Sequence, residues 1–241
     1  FDLLFHLGDF AYEIIDNEGQ KGDDFFAAMS PGSARVPYIV IPGNHENYYN
    51  GDMFNYRFRM PNTSWGGWKN HVYDFLYKGV YYMAINWDLI CEMNFPPSTF
   101  RTLLDWMSTR LKLLETIQGV SWRVFLSHRP MYSNDPKADY SIPMPYVFRP
   151  FEELLVKHRF EFAWSGHVHL FARSNPMEGF KVCEEESIGK GCYVAFIVGH
   201  AGTEHYFKPD KKRLGSPLFN YTQVDSANTA VFVFKDRKSV V

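Results

Sequence analysis

Cysteine is nearly absent, with three residues in 241, at positions 91, 183 and 192. So few thiols exclude a disulfide-dense miniature scaffold and a structural zinc site built from thiolates. Long apolar runs are missing as well, and none reaches the roughly 20 residues a helix needs to cross a bilayer. No membrane partner is therefore expected. An excess of one charge sign is also lacking. The formal net charge is −2, which argues against a general nucleic-acid-binding or polybasic surface. Repeats, low-complexity tracts and linkers do not occur, so residues 1–241 read as one domain. A start methionine and a signal peptide are missing too, but the chain opens inside an apolar run, Phe1-Asp2-Leu3-Leu4-Phe5. It is read as N-terminally incomplete.

What is present is a large core: 46% of the residues are hydrophobic. Leu3 to Leu7 reads as a buried strand of a largely parallel sheet, ending at Gly8-Asp9-Phe10-Ala11-Tyr12. Val36 to Pro42 is a second strand, ending at Gly43-Asn44-His45-Glu46. Trp122 to Ser127 is a third, with His128 at its carboxyl end, and Phe160 to Ser165 a fourth, ending at Gly166-His167-Val168-His169. Between them, Phe25, Phe26 and Met29 share a helix face within Gly19 to Ser33. Val72 to Asn86 forms a hairpin turning at Lys78-Gly79. Phe100 to Ile117 is an amphipathic helix closed by Gly119, and Pro150 to His158 is a second. Tyr48 to Trp68 reads as a long aromatic loop. Tyr193 to Gly199 and Ala230 to Phe234 read as further strands. Cys183 and Cys192 bracket a polar loop between extended runs and suit a hairpin-stapling disulfide, leaving Cys91 as a buried thiol. Two sequons, Asn62-Thr63-Ser64 and Asn220-Tyr221-Thr222, fit a secreted glycoprotein.

Open α/β sheets place ligands beyond the carboxyl ends of their strands. Here four such ends carry Asp9 with Tyr12, Asn44 with His45, His128, and His167 with His169. Each alone is ordinary: a solvated turn, a hydrogen-bonded histidine. Together they form one constellation. In an extended segment residues i and i+2 point the same way, with Cα atoms roughly 6.5 Å apart. Two imidazoles so spaced suit two metals about 3.5–4 Å apart better than one. Carboxylate, phenolate, amide oxygen and imidazole without thiolate favour iron, manganese or zinc in a catalytic site.

These four blocks, in this order, resemble the calcineurin-like metallophosphoesterases. Tyr12, Val36-Pro37-Tyr38 and His128-Arg129-Pro130-Met131-Tyr132 resemble the purple acid phosphatases in particular, of the animal type related to the large plant enzymes. The resemblance implies an α/β four-layer αββα sandwich of two mixed sheets, here missing its first strand. It implies Fe(3+) held by Asp9, Tyr12 and His169. A divalent ion (Fe2+, Zn2+ or Mn2+) would be held by Asp9, Asn44, His128 and His167, with Asp9 bridging. His45 would face the phosphate. The implied reaction is hydrolysis of a phosphate monoester by a metal-bound hydroxide, an acid phosphatase activity suited to a secreted or lysosomal protein.

The pattern breaks in three places. The family's first block, an aspartate-x-glycine whose carboxylate ligates the trivalent ion, is absent. Asp2 cannot replace it, since seven extended residues put it roughly 23 Å from Asp9. Residues 129–157 contain no histidine, where the family places one or two to bind phosphate and protonate the leaving group; they offer Arg129, Asp135, Lys137, Asp139 and Tyr140. Near the end, Gly199-His200-Ala201-Gly202-Thr203-Glu204-His205 adds two histidines, either solvated loop residues or a catalytic rim. Two other readings follow from these breaks: a catalytically weakened homologue serving as a binding module, or a phosphodiesterase of the same superfamily.

Overall fold

A computed structural model describes residues 1–61, 68–91, 96, 98–134, 144–200, 218–223 and 230–234. The sequon at Asn62, His205, and Asp135, Lys137, Asp139 and Tyr140 lie outside the described residues.

The scaffold is a seven-stranded mixed sheet. Its strands are β3 (Val72–Tyr77), β4 (Val80–Ile85), β5 (Trp122–Leu126), β6 (Phe162–Ser165), β7 (Phe171–Ser174), β10 (Val194–Val198) and β11 (Phe219–Gln223). They run in the order β11-β7-β10-β6-β5-β4-β3. The four central strands are mutually parallel, while β3 at one edge and β7 and β11 at the other are antiparallel to their neighbours. A second sheet pairs β1 (Leu4–His6) with β2 (Tyr38–Val40), in parallel. A small hairpin, β8 (Met177–Glu178) with β9 (Lys181–Val182), stands apart.

Alternation along the strands divides the core in two. Met83, Ile85 and Phe125 face one way, onto α4 (Ser98–Leu114) and α5 (Met144–Lys157) through Leu103, Met107, Leu111, Phe151 and Leu155. Tyr82, Ala84, Val124 and Leu126 face the other way, onto β1 and β2. Outside those strands lies α1 (Gln20–Ser33), whose Phe25 and Phe26 pack on Phe10. The layers are helix, large sheet, small sheet, helix. The second expected sheet is a single parallel pair among the described residues. Two short helices complete the fold, α2 (Asp52–Arg57) inside the expected aromatic loop and α3 (Asp88–Cys91) after β4.

Several boundaries differ from the sequence reading for physical reasons. Helix α5 starts at Met144 and carries Pro150 inside it, because Phe148 and Phe151 on either side are fully buried. Their burial, about 2 kcal/mol each, offsets the lost backbone bond. Residues 231–234 form no ladder with any described strand. Phe232 instead stacks on Trp164 with ring centroids 4.1 Å apart. Strands β7 and β11 were not expected at all. The expected Cys183–Cys192 disulfide is present, and Cys91, which takes no part in it, is partly rather than fully buried.

Candidate metal centre

The carboxyl ends of β1 and β2 meet those of β5 and β6 across the two sheets. Gly166 N–H donates to the His128 carbonyl at 2.9 Å, and Ile41 N–H donates to the His6 carbonyl at 3.2 Å, tying each pair of ends together. Glycine is required where the loops touch. Gly8 has φ of +91°, and a Cβ there would sit 2.5 Å from His128 Nδ1 and 2.6 Å from Gly43 N. At Gly43 a Cβ would press on the Asp9 carboxylate and stand 2.7 Å from His128 Cε1. Asp9, Tyr12 and His167 themselves have positive φ, of 60°, 42° and 63°. Left-handed backbone at a non-glycine residue costs about 1–3 kcal/mol and concentrates where side chains must be aimed.

Four side chains converge. Asn44 Oδ1 lies 3.1 Å from His128 Nε2 and 3.0 Å from His167 Nδ1; those two nitrogens are 3.2 Å apart. Asp9 Oδ1 is 3.2 Å from His128 Nε2. One donor atom each from Asp9, His128 and His167 falls within 4.8 Å of the others, a spacing that fits a metal ion. His128 is oriented from behind, its Nδ1–H donating to the Leu7 carbonyl at 2.6 Å, which leaves Nε2 to face the cluster. A second lobe stands beside it, where the Tyr12 hydroxyl and His169 Nε2 are 3.1 Å apart.

His167 and His169 therefore serve different lobes. The extended geometry expected for them is not what separates them. Val168 N–H bonds back to the Gly166 carbonyl and Leu170 N–H to the Val168 carbonyl, both at 2.7 Å, so the segment advances by tight turns.

The electrostatics prepare these groups for a cation. Burial favours the neutral form of Asp9, but His128, by charge and hydrogen bond, holds it far below the usual carboxylate range. Burial depresses His128, yet the Asp9 charge and hydrogen bond outweigh it and lift the imidazole to about 9. His167 is pushed down to about 2, by burial first and then by the His128 and Arg129 charges. Burial also lowers His169. His167 and His169 as neutral imidazoles and Asp9 as a carboxylate are in the states that ligate metal, while His128 must release a proton to join them.

Sequence reasoning left four flanking residues without a role. Glu46, 2% exposed, accepts backbone N–H groups from Asp9, Phe10 and Gly43, each at 2.8 Å, and so ties the loop after β1 to the loop after β2. Burial and the Asp9 charge push Glu46 up to about 8; a cation held by Asp9 offsets that charge and favours the carboxylate that three N–H donors require. Arg129, offered above as a loop residue, is buried. Its Nε donates to Asp88 Oδ1 at 2.5 Å, and an NH1 hydrogen points at His167 Nε2, 3.1 Å away. Glu13 Oε1 accepts a hydrogen bond from His45 Nδ1. The only sequence signal for Glu46 was its place in the Gly43-Asn44-His45-Glu46 block. His200 is 1% exposed, so it is not a solvated loop residue, and its charge bears on His169. Asp2 pairs with Lys78 at 2.8 Å on the exposed surface and has no part in the site.

An α/β sandwich with oxygen and imidazole donors gathered at its strand ends defines a class of metal-binding domain. The sequence profile of calcineurin-like phosphoesterases matches residues 1–171. The chain belongs to the calcineurin-like phosphoesterase family. Acid phosphatase type 7 of Danio rerio is 29% identical over 227 residues, covering 84% of this chain and 49% of that protein. A nucleotide pyrophosphatase/phosphodiesterase of Hordeum vulgare is 27% identical over 194 residues, covering 73% of this chain and 50% of its own length. Among solved structures, a purple acid phosphatase from yellow lupin seeds superposes with a TM-score of 0.68 at 22% identity. That alignment covers 93% of this chain and 40% of the lupin chain. The chain spans about half the length of the curated relatives it matches. The family implies a dinuclear metal centre, and the donor set here fits one.

Proposed function

We propose that this chain is the catalytic domain of an acid phosphatase of the purple type, hydrolysing phosphate monoesters at a dinuclear metal centre. The observation that carries the reading is the pair of donor groups, Asp9 with Asn44, His128 and His167 in one and Tyr12 with His169 in the other, with the Asp9 charge bearing on His169. Asn44, His128 and His167 would hold a divalent ion with Asp9. Tyr12 and His169 would hold a trivalent iron with the same carboxylate. Bound ions supply positive charge for the phosphate and acidify water, so that a nucleophile persists in mild acid.

The chain's own residues do the rest. Glu46 ties the loop of Asp9 to the loop of Asn44 by accepting the Asp9, Phe10 and Gly43 N–H groups. The Leu7 carbonyl fixes the His128 tautomer. His45, beside Tyr12 with ring centroids 4.5 Å apart, faces the phosphate, while His200 borders His169. The disulfide and the exposed Asn220 sequon support a secreted or lysosomal glycoprotein. No described helix is long and apolar enough to cross a membrane.

The test is metal content, the visible spectrum, and turnover of an aryl phosphate near pH 5. A protein that binds metal, is coloured by iron and turns over the ester supports the proposal. Metal binding without turnover supports the weakened homologue. The barley relative favours a diester or pyrophosphate substrate, and faster cleavage of a bis-aryl phosphate than of the monoester would establish that alternative.

A further inference from the structure

Strand β11 closes one side of the large sheet, and no described strand pairs with its outer side. Such an edge offers backbone N–H and C=O groups to a strand of another molecule, and proteins blunt it with charge, proline or a cover. The opposite edge has its charge: Asp74 of β3 is buried beside Arg110 of α4. β11 reads Phe219-Asn220-Tyr221-Thr222-Gln223, aromatic and β-branched, with no charge and no proline. Sequence of that kind favours pairing between molecules when it lies at an edge.

What β11 has instead is an irregularity. Phe219 pairs with Ser174 of β7 and Tyr221 pairs with Arg173, the residue directly before it, so Asn220 is an extra residue with no partner across the ladder. This bulge breaks the strand's alternation. Asn220 and Tyr221 are both exposed, while Phe219 before them and Thr222 after them are partly buried. Phe219 packs on the core, and the Asn220 side chain makes no hydrogen bond within the described chain.

Asn220 opens the triplet Asn220-Tyr221-Thr222, the acceptor pattern for an N-linked glycan. Such triplets are common, but two features set this one apart. Its asparagine sits on an exposed bulge at a free edge, where a glycan has room. The Cys183–Cys192 disulfide fits the oxidising secretory route, in which the glycan is added.

We propose that Asn220 carries an N-linked glycan, and that this glycan covers the free edge of β11 and keeps two copies of the chain from pairing there. In the transfer, Asn220 Nδ2 attacks C1 of a lipid-linked oligosaccharyl pyrophosphate. The N–C1 bond forms as the C1–O bond to pyrophosphate breaks, and the amide gives up one proton; nothing is oxidised or reduced. Transfer acts on the extended chain, with the Thr222 hydroxyl free for recognition. In the folded chain that Oγ1 accepts from Asn134 Nδ2 at 2.7 Å and anchors β11 to the loop after β5. Neither metal nor phosphate enters, so glycosylation of Asn220 stands or falls apart from the phosphatase reading.

The experiment expresses the whole chain behind a secretory leader in cultured eukaryotic cells. Peptides from cell-associated and secreted protein are mapped by mass spectrometry before and after enzymatic release of N-glycans, which turns only a glycan-bearing asparagine into aspartate. Asn220 should be converted and Asn220→Gln should lose one glycan. Thr222→Ser, which keeps both the hydroxyl and the acceptor pattern, should stay glycosylated. In sedimentation velocity Asn220→Gln should form larger species than the glycosylated chain does. Asn220→Lys, which also lacks the glycan but puts a charge on the edge, should not. An Asn220 peptide recovered only as unmodified asparagine overturns the proposal outright. Equal sedimentation of the glutamine and lysine variants overturns the covering role, and because both lack the glycan, a shared folding defect cannot produce a difference between them.

Discussion

Replacing Glu46 by glutamine changes one atom and should cost far more than a surface change does. Oε2 accepts two N–H groups, from Asp9 and Gly43, and Oε1 accepts a third, from Phe10, all at 2.8 Å. A glutamine can place its carbonyl where Oε2 was and keep two of the bonds. Its NH2 must then face the Phe10 N–H, donor against donor, at a site only 2% exposed. One buried N–H loses its acceptor, for about 1–3 kcal/mol, and the two surviving bonds lose their charge assistance, for about 1 kcal/mol more. Against a total stability of about 5–15 kcal/mol this is a visible loss, and Glu46→Ala, which strands all three donors, approaches the whole of it. Urea unfolding of the metal-loaded protein, in which Glu46 is ionised, should give a lower midpoint for Glu46→Gln with an unchanged slope. Amide exchange should quicken selectively at Asp9, Phe10 and Gly43. Because the grip holds two ligand loops together, metal affinity should fall about ten- to hundredfold as well. A glutamine variant with wild-type midpoint and wild-type exchange at those three amides would refute the clamp.

Loaded with iron, the protein should show a visible charge-transfer band that Tyr12→Phe loses while its unfolding midpoint stays put; a variant that keeps its colour would remove the phenol from the iron. For metal-free protein, His128 sits at about 9 against an ordinary 6.5, so its ion pair with Asp9 stabilises the fold fully below pH 6.5 and is lost as pH rises through 9. A metal must displace that proton, so calorimetric Mn2+ affinity should climb about tenfold per pH unit between 7 and 9, with one proton released; a flat profile would count against His128 as a ligand. Arg110→Ala strips a two-pronged guanidinium from Asp74, which is 3% exposed, and should cost about 3 kcal/mol in urea unfolding; a loss under 1 would show the pair to be dispensable.

Most of the scaffold was legible because it is periodic. The hairpin at Lys78-Gly79, the apolar face of α4 and the four strand ends follow from alternation and helical spacing, which a chain cannot hide. Strands β7 and β11 were not legible. Both are short, β11 at the sheet's edge and β7 next to it, and each takes its form from antiparallel pairing with residues distant in sequence. Among the site residues, the candidate ligands were legible and the residues that orient them were not. Asp9, Asn44, His128 and His167 announce themselves as ligand-type residues at strand ends. Glu13, Glu46, Asp88 and Arg129 are charged residues that look solvated in sequence, and their burial depends on loops meeting across two sheets.

The pair His167-x-His169 shows how the expected conformation can differ from the one the chain adopts. Extended geometry suggested two imidazoles on one side, serving two metals. The chain instead turns twice between Gly166 and Leu170, with His167 at φ of 63°. The turning sends one imidazole to Asn44 and His128 and the other to Tyr12. The separation of the two rings comes from a left-handed backbone at His167 and the tight turns around it, which spacing alone could not disclose.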